Sequence, residues 1–172
     1  KRLILVDHNE KGQAVEGVEN AEILEILDHH RLGTVETVSP VFFRNQPVGC
    51  TATIVFQMYQ ENHVEIQPVI AGLLCSAIIS DTLLFRSPTC TEADKEAAMK
   101  LAKTAGIDVE KYAASMFAAA SNLKGKTDGE IFYQDFKRFG AGKVTFGVGQ
   151  ISSLNAEELE ELQTRLIPYM AK

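Results

Sequence analysis

The chain has 172 residues, 45% of them apolar, and a formal net charge of -6. That is enough for one sizeable core, and the acidic balance excludes a general nucleic-acid or membrane-surface binder. No run of about 18 apolar residues is present, so no membrane span is expected; Cys50, Cys75 and Cys90 lack C-x-x-C spacing and read as reduced thiols of a cytoplasmic protein.

Residues 2–7 read as a buried parallel strand that stops on Asp7-His8. Residues 10–20 are polar, with two glycines, and form a loop or short helix. A second strand over 23–28 ends on Asp28-His29-His30. The connector 31–40 leads to a short strand over 41–44, stopped at Asn45-Gln46-Pro47. The spacing of Ile54, Val55, Met58 and Tyr59 predicts a helix over 49–62. The next helix, 67–83, is apolar nearly all round and therefore central and buried; it carries Ser80 and Asp81 at its C-terminal end. Thr91-Glu92-Ala93-Asp94 has the pattern of a capping box, opening a helix that runs through Ala105 and ends at Gly106. Further helices are predicted from Asp108 to about 121 and from Thr127 to about Asp135. A strand follows over 143–151, then a last helix capped by Asn155 with Glu157 and Glu158 in its first turn. Gly140-Ala141-Gly142-Lys143 lacks P-loop spacing and precedes a strand, so it reads as a turn. The pattern predicts an α/β fold, a doubly wound, mainly parallel sheet flanked by helices. It is read as one domain over 1–172, with an edge only past Ile167-Pro168. Because a ligand-type motif stands within ten residues of Lys1, the sequence reads as a piece of a longer protein, cut at both ends.

Three apolar segments deliver oxygen or nitrogen ligands at one end: Asp7-His8, Asp28-His29-His30 and Ser80-Asp81-Thr82. In an open α/β sheet such ends converge on one crevice, and carboxylates mixed with imidazoles there are metal-ligand chemistry. A lone Asp after a strand is more often a cap than a ligand; the repetition of Asp-His at a second strand end favours the ligand reading. His8 is either a ligand or a group that orients Asp7. An acid at a helix C-terminus opposes the helix dipole, so Asp81 breaks a local rule, as functional residues do. Ser80 and Thr82 are placed to hydrogen-bond it. Arg31 follows the His pair directly, Arg86 follows Asp81 by five residues and Lys137 comes after a predicted helix; each alone is weak evidence. No G-x-S-x-G elbow supports a serine hydrolase, and His63, alone at a helix end, reads as a surface residue.

Asp7-His8-Asn9-Glu10, Asp28-His29-His30-Arg31, the run Pro47-Val48-Gly49-Cys50-Thr51-Ala52-Thr53 and the run from Ile79 to Thr89 resemble the DHH phosphoesterases. More narrowly, they resemble the manganese-dependent (family II) inorganic pyrophosphatases, over essentially the whole chain. The resemblance implies hydrolysis of pyrophosphate to two phosphates by a hydroxide activated between two metal ions. It implies Asp7 as the carboxylate bridging the metals, His29 and Asp81 as ligands of one of them, His30 as a substrate contact and proton-transfer residue, and Lys137 as a phosphate-oxygen ligand. It further implies Mn2+, with Co2+ or Mg2+ as alternatives, and a homodimer. The family's G-H-x-x-P-D-x-D motif is expected upstream of residue 1, and a C-terminal domain with an Arg-Lys-Lys clamp after residue 172. Some relatives insert a nucleotide-sensing CBS module before the Asp-His-Asn motif. The competing readings are a DHH phosphodiesterase acting on short nucleotides and a non-catalytic metal-binding fragment.

Overall fold

The computed structural model describes residues 1–120, 125–151 and 156–170. Where one domain was expected, the chain divides into two compact units, Lys1–Ala113 and Ala114–Lys172.

In the first unit three strands, β1 (Arg2–Val6), β2 (Glu22–Asp28) and β3 (Phe42–Asn45), form a parallel sheet in the order β1-β2-β3. Leu5 pairs with Ile26 and Val6 with Leu27, while Asp28 pairs with Asn45. Parallel pairing puts all three C-terminal ends on one sheet edge. The ladder runs one residue further on either side of β2: the Asp7 amide donates to the Leu27 carbonyl at 2.9 Å, and the Gln46 amide to that of Asp28 at 3.2 Å. Asp7 and the Asp28-His29-His30 turn thus leave the sheet side by side.

Helices α1 (Thr51–Glu61), α2 (Pro68–Asp81), α3 (Glu92–Ala105) and α4 (Val109–Ala120) follow, matching the predicted helices to within two residues; the predicted end of α4, at 121, lies outside the described residues. Pro68 opens α2 where its missing amide has no intrahelical acceptor to lose. Ala71, Cys75, Ala97 and Ala98 are buried small residues that let α2 and α3 approach closely around Ile78, Ile79 and Leu101. The Thr91/Asp94 capping box forms as predicted, and Gly106 closes α3 in a left-handed conformation at φ 70°.

Asp94 does more than cap α3. It has no exposure to water. Its Oδ2 accepts from the Thr91 amide (2.7 Å), the Thr91 hydroxyl (2.6 Å) and the Gly49 amide (2.8 Å), and its Oδ1 accepts from the Thr53 hydroxyl (2.6 Å). Burial pushes this carboxyl up, but the bonds from Thr53, Thr91 and Gly49 outweigh burial and hold it below the ordinary aspartate range. The segment that opens α1 is in this way tied to the start of α3.

The second unit contains α5 (Asp128–Phe132), the antiparallel strands β4 (Phe136–Ala141) and β5 (Val144–Gly149), and α6 (Ala156–Met170). Ile131, Leu162 and Leu166 form its core, with Phe132 and Ile151 against them. Three expectations change here. The helix opened by the Thr127/Glu130 capping box stops at Phe132, not near Asp135. The stretch after it is a strand, because Phe136 to Ala141 pairs with Val144 to Gly149 and Phe139 stacks on Phe146 at 5.6 Å. Pro168 lies inside α6 and marks no boundary. The expected turn is confined to Gly142-Lys143, with Gly142 at φ 62°, while Gly140 and Ala141 belong to β4. The proposed cap Asn155 lies outside the described residues.

Gly49 offers a direct test of the packing. A Cβ there would stand 2.8 Å from Thr82 Cγ2, 3.0 Å from Asp94 Oδ2 and 3.2 Å from the Cys90 Cα. Gly49→Ala is expected to cost about 1–3 kcal/mol in urea unfolding; a variant as stable as the wild type would contradict this account of the α1–α3 junction.

Candidate metal centre

The side chains of Asp7, His29 and His30 come together, with one ligand atom from each lying within 4.8 Å of the others. Asp7 sits in the left-handed region at φ 67°, a conformation that Asp tolerates better than bulkier residues but that still costs energy and concentrates at functional positions. His29 Nε2 is 3.4 Å from Asp7 Oδ1, and the Thr51 hydroxyl donates to the same oxygen at 2.8 Å. On the far side of the ring, His29 Nδ1 lies 2.9 Å from the Val48 carbonyl. A carbonyl can only accept, so Nδ1 carries the proton and the Nε2 lone pair is left for whatever lies beside Asp7.

The His29 hydrogen bond, seconded by Thr51, holds the Asp7 carboxyl below its ordinary value in spite of partial burial. The same bond to Asp7 raises the His29 imidazole above 6.5, with Val48 and the charge of Asp81 adding to the effect. Without a cation the pair favours an ion pair. A divalent cation would take the place of the extra proton, so the donor set fits a metal.

His30 is turned by a different partner. Its Nδ1 is 2.8 Å from Asp28 Oδ1, and that oxygen also accepts from the His29 amide at 2.8 Å and the His30 amide at 3.2 Å. Asp28 is fully buried, and Asn9 donates to its other oxygen. Burial raises the Asp28 carboxyl, but Asn9, His30 and the two amides together bring it below its usual range. Asn9 is itself fixed, donating to the Arg31 carbonyl at 3.0 Å and accepting from the Gly33 amide. The side chain of His30 remains 52% exposed.

Asp81, at the last residue of α2, is outside the trio but faces it. Its charge acts on His29, and it stands beside the buried thiol of Cys50, which burial first and Asp81 second push well above the ordinary thiol range. The predicted bond from Thr82 to Asp81 does not form: the buried Thr82 hydroxyl donates to the Ile78 carbonyl at 2.6 Å, its cheapest partner once out of water. His8 Nδ1 turns to the Val6 carbonyl at 3.0 Å and does not enter the trio. Arg31 is paired with Glu10 at 2.5 Å, and Arg86 and His63 are exposed. Lys137 belongs to β4 in the second unit, where its ammonium is 70% exposed and 4.0 Å from Asp135.

Sequence reasoning nominated the ligands but missed what grips them. Val48 bonds His29, Cys50 abuts Asp81 and Thr51 bonds Asp7. A small-polar run of Gly, Cys and Thr at a helix start, beside two Asp-His turns, was the available signal.

The N-terminal domain model of the DHH family matches residues 1–78, and the DHHA2 domain model matches residues 114–172, the span of the second unit. The chain is 52% identical to a Clostridium acetobutylicum protein named "Probable manganese-dependent inorganic pyrophosphatase", over 99% of this chain and 55% of that one. It is 49% identical to the cobalt-dependent inorganic pyrophosphatase of Clostridium perfringens, over 99% of this chain and 31% of that one. A crystal structure from Methanococcus jannaschii, assigned to the family II inorganic pyrophosphatases, superposes with a TM-score of 0.82 at 37% identity, covering 99% of this chain and 59% of that one. The chain thus spans about half the length of most of these relatives, and the DHHA2 match falls on its second unit. With its Asp-His-Asn and Asp-His-His turns meeting at one sheet edge, the chain belongs to the DHH family, in the family II inorganic pyrophosphatase branch.

Proposed function

We propose that the full-length protein hydrolyses inorganic pyrophosphate to two phosphates with Mn2+, Co2+ or Mg2+ serving as alternatives. The observation that carries this reading is the convergence of Asp7, His29 and His30 within 4.8 Å, in a chain whose relatives are named manganese- and cobalt-dependent pyrophosphatases. In this reading Asp7 would be shared by two ions, and His29 and Asp81 would be ligands of one of them. Mixed imidazole and carboxylate donors suit Mn2+ and Co2+ better than all-oxygen sites do. When bound, the divalent ions supply a water of lowered pKa and neutralise charge on the phosphate oxygens.

The chain's own groups do the rest. Asp28 accepts from His30 Nδ1 and offsets the charge of a doubly protonated ring, so that a second proton, on Nε2, can bond a phosphate oxygen and pass to the departing phosphate, leaving the ring neutral. Lys137 supplies a positive charge for a phosphate oxygen, which an acidic protein must provide locally. A homodimer and residence in the cytoplasm belong to the same proposal. Three free cysteines, two of them buried, suit a reducing compartment, and no helix among the described residues is long and apolar enough to cross a membrane. A CBS-type module elsewhere in the full-length protein is proposed as well; the Clostridium perfringens relative, of which this chain spans 31%, has room for added modules.

The deciding experiment is phosphate release from pyrophosphate by the full-length protein with Mn2+, run against a dinucleotide. Release from pyrophosphate in preference to the dinucleotide is expected; a protein that binds Mn2+ and cleaves only the dinucleotide would be a phosphodiesterase instead.

Metal affinity should depend on pH with a definite sign. His29 must be deprotonated at Nε2 to serve as a ligand, and Asp7 raises its pKa above the ordinary 6.5. Mn2+ affinity therefore falls as pH drops through that raised value and levels off above it. Asp7→Asn removes the pull, moving the inflection to lower pH, and lowers the plateau affinity by about tenfold or more. Calorimetric titration across the range of about pH 5.5–8.5 tests both points; an affinity flat with pH in the wild type would remove His29 from the ligand set.

A further inference from the structure

We infer that Asp94, which lies outside every ligand motif, is a positioning residue for the metal centre, acting through residues 48–53. This rests on the metal-centre reading above.

Three candidate ligands arrive from three different elements: Asp7 after β1, His29 after β2, and Asp81 at the end of α2. One short segment touches all three. The Val48 carbonyl holds His29, the Cys50 thiol abuts Asp81, and the Thr51 hydroxyl holds Asp7. The segment is therefore the common jig against which the ligand geometry is set. Its own position is fixed by Asp94, which accepts from the Gly49 amide at 2.8 Å and the Thr53 hydroxyl at 2.6 Å, bonds that alternate along the segment with the ligand contacts. The same carboxylate is anchored to α3 by the Thr91 amide and hydroxyl. It does not touch Asp7, His29 or Asp81, and it is not in the metal-type cluster.

A carboxylate with no exposure and four donors is a rigid part. Removing it leaves the Gly49 amide and the Thr53 hydroxyl without their acceptor in a dry site, and the cheapest remedy is a shift of residues 49–53 toward other partners. Such a shift moves the Val48 carbonyl and the Thr51 hydroxyl together, and loosens His29 and Asp7 at once. Interactions that orient ligands in this way are typically worth about 10–100-fold in metal affinity.

The test compares Asp94→Ala, Asp94→Asn and Leu101→Ala in the full-length protein, with Mn2+ binding read by calorimetry, melting by scanning calorimetry, and KM and kcat for pyrophosphate. Asn at 94 can present its oxygen to Gly49 and Thr91 and donate its amide to the Thr53 hydroxyl, so Asp94→Asn should stay near wild type in Mn2+ affinity. Asp94→Ala should bind Mn2+ about tenfold or more weakly. Leu101, buried two turns further along α3 than Asp94, controls for lost stability alone: Leu101→Ala should lower the melting temperature and leave Mn2+ affinity unchanged. Affinity that tracks melting temperature equally in Asp94→Ala and Leu101→Ala overturns the inference, as does wild-type affinity in Asp94→Ala. Should Asp94→Ala fail to fold, Thr53→Val, which removes one of the four bonds at constant shape, decides: weaker Mn2+ binding supports the role and unchanged binding ends it. A wild-type protein that takes up no Mn2+ ends the metal reading itself, a different failure from wild-type binding that Asp94→Ala leaves untouched.

Discussion

The arrangement depends first on one hydrogen bond, from His29 Nδ1 to the Val48 carbonyl at 2.9 Å. It settles which ring nitrogen holds a proton and which faces Asp7. The neighbouring imidazole obeys the same logic with a different partner. His30 Nδ1 faces the Asp28 carboxylate, and its side chain is half exposed. Two adjacent histidines are thereby given unlike characters. The one held by a neutral carbonyl is suited to donating a lone pair, and the one held by a buried carboxylate is suited to handling a proton.

Local conformational cost gathers around the same residues. Asp7 is left-handed at φ 67°, and Leu83, Leu84 and Phe85, just after Asp81, are left-handed at 48°, 51° and 65°. A non-glycine residue there costs roughly 1–2 kcal/mol, so three in a row must be held by their surroundings. Thr82 does much of the holding. Its carbonyl accepts from the Ser87 amide at 2.9 Å and its hydroxyl from the Phe85 amide at 3.2 Å, while its methyl group faces Gly49. The reason that residue 49 has no side chain is therefore the reason that the turn beside Asp81 can close against the jig that holds Asp7 and His29.

Much of this was legible in the sequence. Period and capping gave β1 to β3 and α1 to α4, since long periodic segments with Thr91/Asp94 or Gly106 at their ends admit few other readings. The ligand candidates were legible because an apolar run ending on Asp-His twice has little structural rationale. The second unit was read less well. Phe136 to Ala141 carries Lys137-Arg138 and Gly140, which mask the alternation of a strand, and only its pairing with β5 gives it extended form. The role of Asp94 was read as a cap and no more. A carboxylate that accepts from Gly49 and Thr53, more than forty residues earlier in the chain, has no local signature.

The proposed roles divide along the boundary between the two units. Asp7, His29, His30 and Asp81, with all that orients them, lie in Lys1–Ala113, whereas Lys137 lies in Ala114–Lys172. Under that proposal the groups that set the lone pair of His29 and the charge of Asp7, the Val48 carbonyl and the Thr51 hydroxyl, are folded with the candidate ligands they hold. A change in the proposed Asp94 network would therefore reach the metal first and everything else as a consequence.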